Sequence, residues 1–128
     1  QPSWSAPRDG WFYPPTLCTN VEPSGTLAQI EVFGPVVVMM TFRTPSEAVA
    51  LANDSRYGLS AGIFTQDVDS AMRFVREAES GNIHINGAPG WRADLMPYGG
   101  VKMSGMGKEG PRYAVQEMTE LKMVVFHP

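Results

Sequence analysis

A carboxylate and an aromatic ring two positions apart, Glu31 and Phe33, stand beside a Gly34-Pro35 turn. A carboxylate can accept hydrogen bonds from two neighbouring sugar hydroxyls, and a ring can cover the sugar or a flat heterocycle beside it. That is the chemistry of a ribose clamp. Taken alone, the same residues also describe a solvated Glu beside a core Phe, which is the commoner outcome. Further along, Gly105-Met-Gly-Lys-Glu-Gly110 satisfies G-x-G-x-x-G, which cradles a pyrophosphate when a strand leads into it and a helix leaves it. A helical pattern follows here, but Pro97 to Ser104 is no strand, so the segment reads as a glycine-rich loop entering a helix. Cys18, the sole thiol, ends an apolar strand pattern with no His or Asn/Asp pair near it in sequence, and reads as a packed or half-exposed side chain. His84, between Ile83 and Ile85, is expected on the opposite face of a strand, at a surface or interface, and His127 is terminal. Two isolated histidines make no metal site.

The elements that must position these groups follow from periodicity and punctuation. Residues 1–15 are proline-rich and aromatic without a period, an irregular arm. Thr16 to Val21 fits a short strand before a Pro23-Ser-Gly25 turn, and Val32 to Phe42 is an apolar, β-branched run suited to a strand buried on both faces. Thr44-Pro-Ser-Glu47 opens a helix, with Thr44 as cap, Pro45 at the tolerated first position and Glu47 completing a capping box. Ala48, Val49, Leu51 and Ala52 supply its buried stripe, and Tyr57-Gly58 ends it. Leu59 to Thr65 is a strand, Asp67 to Ser80 a helix that buries Ala71, Phe74, Val75 and Ala78, and Asn82 to Asn86 another strand. Gly87 to Gly110 is too rich in glycine for regular structure, and a loop this long in a compact domain is usually functional. Pro111 opens a last helix to about Glu120, and Lys122 to Phe126 forms a terminal strand. Strands alternating with helices predict an α/β fold around a mainly parallel sheet.

Composition limits the alternatives. The 128 residues fit one domain, with 43% hydrophobic and 18% charged side chains. A net charge of −3 without a basic run gives no attraction to nucleic acid, and no apolar stretch approaches the ~18 residues that span a bilayer. One cysteine forms no internal disulfide, as expected of a reducing, cytoplasmic setting. The methionines are core and loop packing, and Asn53-Asp-Ser55 is a chance sequon.

In this order, Glu31-Val-Phe-Gly-Pro-Val36, Tyr57-Gly-Leu-Ser-Ala61 and Pro97-Tyr-Gly-Gly-Val-Lys-Met-Ser-Gly-Met-Gly-Lys-Glu-Gly110 resemble the C-terminal part of the NAD(P)-dependent aldehyde dehydrogenases. The resemblance runs from about Gly10 to the last residue. It implies a partial catalytic domain over residues 16–121 and, over 122–128, a strand that joins a neighbouring subunit's sheet in a homo-oligomer.

Each site residue then acquires an implied role. Glu31 and Phe33 border the nicotinamide half of NAD or NADP. Trp91 and Tyr98 line the aldehyde tunnel. Arg92 holds the carboxylate, phosphate or phosphonate tail of an aldehyde or, alternatively, pairs with Asp94. The Trp91 to Tyr98 run is similar to subgroups acting on short hydroxylated or phosphorylated aldehydes such as lactaldehyde, glyceraldehyde 3-phosphate or phosphonoacetaldehyde. Glu109 matches a proton-relay acid, and Lys108 and Glu120 match positions that pair near the subunit interface. Family members are several times longer, and their nucleophilic cysteine, general base and Rossmann domain have no counterpart here, so the isolated chain is expected to be inactive. The alternative from another class is a non-catalytic assembly module derived from this fold.

Overall fold

A computed structural model describes residues 9–128, so most of the irregular arm expected over 1–15 lies outside the described residues, and 9–15 are non-repetitive and exposed. The chain forms two compact units, Gln1–Ser55 and Arg56–Pro128.

In the first unit, β1 (Thr16–Thr19) and β2 (Val36–Met39) pair in parallel, with Thr16 opposite Val36 and Thr19 opposite Met39. Between them lies α1 (Thr26–Gln29), a single turn that periodicity does not predict. The Gln29 side-chain amide ties it down, donating to the carbonyls of Pro23 at 2.9 Å and Asp54 at 2.7 Å. Strand β2 is shorter than the apolar run Val32 to Phe42; at its start the run is interrupted by Phe33, whose φ of 51° is left-handed and outside the β region. It is also covered on one face only: Val36 and Val38 are half-buried, whereas Val37 and Met39 are exposed. Helix α2 (Pro45–Asn53) starts as its cap predicts. Thr44 Oγ1 accepts from the Glu47 amide at 3.2 Å, and the Glu47 carboxylate turns back to accept from the Arg43 amide at 2.7 Å. Val49 is its buried anchor.

In the second unit, β3 (Tyr57–Gly58) precedes β4 (Ser60–Ile63), α3 (Val68–Glu77) and β5 (Asn82–Ile85), and β4 and β5 pair in parallel, Ser60 opposite Asn82. Asp67 caps α3 by accepting from the Ser70 amide at 2.9 Å. Hydrogen bonding to Ser70 holds the Asp67 carboxyl below its ordinary value. Ala71 and Phe74 are buried as expected, but Val75 is exposed. The glycine-rich stretch contains β6 (Val101–Lys102), antiparallel to β3, and ends at α4 (Pro111–Glu117). Ser104 Oγ accepts from the Gly58 amide at 2.9 Å, and Lys102 pairs with Glu79 at 2.6 Å, so both side chains fasten this short ladder.

The predicted α/β class is thus realised as three two-stranded pairings, two parallel and one antiparallel. Among the described residues Lys122 to Phe126 is in no strand, and Met123 and Phe126 are almost fully exposed. A strand needs a partner for its backbone groups, and these five residues find none within the described chain.

Candidate functional site

The loop from Gly87 to Gly110 is organised by close backbone approach. The Gly99 carbonyl accepts from Lys108 Nζ at 2.9 Å and from Asn82 Nδ2 at 3.3 Å. A Cβ on Gly81 would strike that same Gly99 oxygen, and a Cβ on Gly99 would strike the carbonyl of Gly107. Gly105, Gly107 and Gly110 all have positive φ, at 123°, 76° and 103°. The glycines of the G-x-G-x-x-G string therefore serve turn geometry here. One N–H of the Lys108 ammonium is given to this carbonyl.

Three of the candidate residues converge on this frame. A backbone bridge joins Tyr98 to Glu109, with the Glu109 amide donating to the Tyr98 carbonyl at 2.6 Å. Arg92 Nη1 donates to Glu109 Oε2, and the guanidinium lies 5.1 Å from the centre of the Tyr98 ring. Glu109 thus replaces Asp94 as the partner of Arg92, and the pairing raises the Arg92 pKa further. Both side chains keep access to water, at 49% and 65% exposure. A pocket of about 230 Å³ opens beside them, lined also by Asp94 and Met96. Trp91, next in sequence to Arg92, is 66% exposed.

The other candidates belong to the first unit. Glu31 and Phe33 follow α1 directly, and both side chains are exposed, Phe33 at 91%. Phe33 is therefore not the core residue that its type suggests. Its left-handed backbone is uncommon for a bulky residue, and such strain costs on the order of 1–3 kcal/mol and clusters at functional sites. An exposed carboxylate, which accepts, next to an exposed ring is a pair that fits the hydroxyls of a ribose and the heterocycle attached to it.

The profile of the aldehyde dehydrogenase family matches residues 3–124. The chain belongs to the aldehyde dehydrogenase family. It is 49% identical over 120 residues to the 3-sulfolactaldehyde dehydrogenase of Priestia aryabhattai, a match covering 94% of this chain and 25% of that protein. Aldehyde dehydrogenase 21 from Physcomitrella patens, solved in complex with its reaction product succinate, superposes with a TM-score of 0.82 at 38% identity, over 89% of this chain and 24% of that one. The betaine aldehyde dehydrogenase of Staphylococcus aureus, solved with NAD+, superposes with a TM-score of 0.76 at 40% identity, over 83% of this chain and 21% of that one. The chain thus spans about a quarter of the length of the aldehyde dehydrogenases it matches.

The remaining reactive side chains of this aldehyde dehydrogenase segment have structural settings. Cys18 is a free, half-buried thiol on the same face of the β1–β2 pair as Val36 and Val38. His84, expected at a surface or interface, is half-buried, with its Nε2 enclosed and unpartnered among the described residues. Among the described residues no cluster of His, Cys, Asp or Glu could hold a metal, and no helix is long and apolar enough to cross a membrane. What sequence reasoning misses is the pairing of Arg92 with Glu109, 17 positions apart. The only signal for it is that both fall in one glycine-rich loop.

Proposed function

We propose that this chain is the C-terminal segment of an enzyme that oxidises an aldehyde to a carboxylic acid with NAD+ or NADP+. The observation that carries this reading is the exposed Glu31–Phe33 pair on a left-handed backbone, in a chain of the aldehyde dehydrogenase family. The cofactor, when bound, supplies a hydride acceptor. Glu31 accepts hydrogen bonds from two ribose hydroxyls, and Phe33 packs on the sugar or nicotinamide, so that the pair fixes the ring's orientation. Trp91 and Tyr98 line the path of the aldehyde and exclude water. Arg92 holds an anionic tail, a reading supported by a relative named for a sulfonated aldehyde and a structural neighbour solved with succinate. Glu109, at 65% exposure, is reached by water and serves as a relay acid. The covalent step falls to a nucleophile and general base outside these residues. A reducing, cytoplasmic setting accords with the unpaired Cys18.

The test is Glu31→Gln in a full-length aldehyde dehydrogenase carrying this segment. A nicotinamide held less firmly loses alignment while the adenine half stays bound elsewhere, so single-turnover hydride transfer slows by about tenfold or more, with a smaller effect on cofactor affinity. Unchanged hydride transfer would remove the ribose-clamp assignment.

A second function of the segment is assembly, favoured by the exposed, apolar Met123-Val-Val-Phe126, which is in no strand. We expect a homo-oligomer formed through these residues. Light scattering at micromolar concentration that gives a monomer before and after deleting 122–126 would refute it.

A further inference from the structure

The Arg92–Glu109 pair is held unevenly. One guanidinium nitrogen meets one carboxylate oxygen, so the contact is monodentate, whereas the planar fork of Arg can grip a carboxylate or sulfonate with two parallel N–H groups. Both partners are about half exposed or more, so water can compete for the contact. The pocket beside them presents Asp94 and Glu109 against Arg92 alone, two acids and one base, a formal charge of −1. An anionic tail that entered while Glu109 still held Arg92 would meet net repulsion. The Glu109 backbone is fixed by the hydrogen bond from its amide to the Tyr98 carbonyl, so the residue stays beside the pocket and only its carboxylate can turn away from Arg92.

From this geometry we propose that Glu109 is a resident counter-anion, which the anionic tail of an aldehyde must displace from Arg92, and that it thereby sets how strongly the enzyme prefers charged over neutral aldehydes. This rests on the reading above that Arg92 holds the tail. Glu109 is a specificity-determining residue in the repulsive sense: it lowers the affinity for anionic tails that Arg92 alone would give, so that short neutral hydroxyaldehydes still compete. The tails concerned are carboxylates, sulfonates and phosphonates small enough for a pocket of about 230 Å³.

The experiment compares kcat/KM for succinic semialdehyde with that for propanal in a full-length aldehyde dehydrogenase carrying this segment. Turnover also carries any loss of proton relay, so the ratio is read together with succinate binding, which involves no relay. Glu109→Gln should raise the anionic-to-neutral ratio by about tenfold, since charge-assisted contacts to Arg92 become available without competition. Binding of succinate, followed without turnover by titration calorimetry, should tighten by a similar factor. An unchanged or falling ratio in Glu109→Gln, while Arg92→Leu collapses it, overturns the counter-anion and leaves Arg92 as the tail's ligand. A ratio unmoved by Arg92→Leu overturns the tail-binding reading itself, and the inference with it. Should Glu109→Gln fold poorly, Glu109→Ala takes its place: a raised ratio supports the counter-anion, and an unchanged or falling one overturns it.

Discussion

The two segments that carry candidate site residues hold them by opposite means. Around Glu31 and Phe33 the side chains face outward, and the tension sits in the main chain, where Phe33 is left-handed and the next two residues are Gly34 and Pro35. In the Gly87–Gly110 loop Lys102 is left-handed as well, but the candidate side chains turn inward: Arg92, Tyr98 and Glu109 bind one another, and the backbone is fastened through the Gly99 carbonyl. The first segment displays exposed groups, which the proposed function reads as open to a ligand. The second has used its charges on itself, so a ligand must open it. On the proposed reading, binding energy and selectivity therefore come from different places, the clamp contributing the former and the exchange at Arg92 the latter.

In the proposed function both segments bind and orient while neither reacts, and the largest expected effect follows from that. The purified 128-residue chain should reduce no cofactor above background with any aldehyde. Reduction followed by cofactor absorbance, and abolished by Cys18→Ser, would make the half-buried Cys18 catalytic and erase the distinction between holding and reacting.

Substituting glycines sharpens the contrast next. A Cβ on Gly81 meets the Gly99 carbonyl with no room to move, whereas one on Gly34 meets only its neighbour Val32, with Cγ1 at 3.8 Å, an ordinary contact. Gly81→Ala should therefore cost about 1–3 kcal/mol in urea denaturation, in line with overpacked sites, and Gly34→Ala a small fraction of that. Equal costs would mean that the loop is no more tightly fastened than the segment before β2.

How much of this is legible in the sequence depends on distance along the chain. The start of α2 is readable because Thr44, Pro45 and Glu47 act within one turn of each other. The buried Ala71 and Phe74 of α3 are readable from spacing. The turn α1 is not, since its cap residue Gly25 offers no side-chain hydrogen bond and four residues show no period. Neither are β3 and β6, two residues each, whose pairing is fastened by Ser104 reaching back 46 positions to Gly58. The resemblance locates Glu31, Phe33, Arg92 and Glu109, but nearness in sequence points Arg92 at Asp94. The glycine frame folds Glu109 onto Arg92 instead, an outcome set by backbone approach that no pair of residue types announces. Cys18 and the terminal segment 122–126 follow the same rule: their type is plain, their surroundings are not.

The smallest effect concerns the two helix caps, one in each unit. Thr44 caps α2 with a hydroxyl that does not titrate, while Asp67 caps α3 with a carboxylate whose pKa is lowered by hydrogen bonding to Ser70. A depressed folded-state pKa means that the cap's stabilisation is fully present above the ordinary Asp value of about 3.9 and is lost as pH falls below it toward the folded value. Asp67→Asn keeps an acceptor oxygen at the cap but removes the titration. Acidified from neutral to about pH 3, the parent chain should thus lose slightly more stability than Asp67→Asn. The amide of Ser70, followed by hydrogen exchange, should lose protection over the same interval, while that of Glu47 behind Thr44 Oγ1 changes less through its cap. Parallel pH profiles for parent and variant would mean that the Asp67 carboxylate contributes no more than a neutral cap, and the two helix starts would then be equivalent.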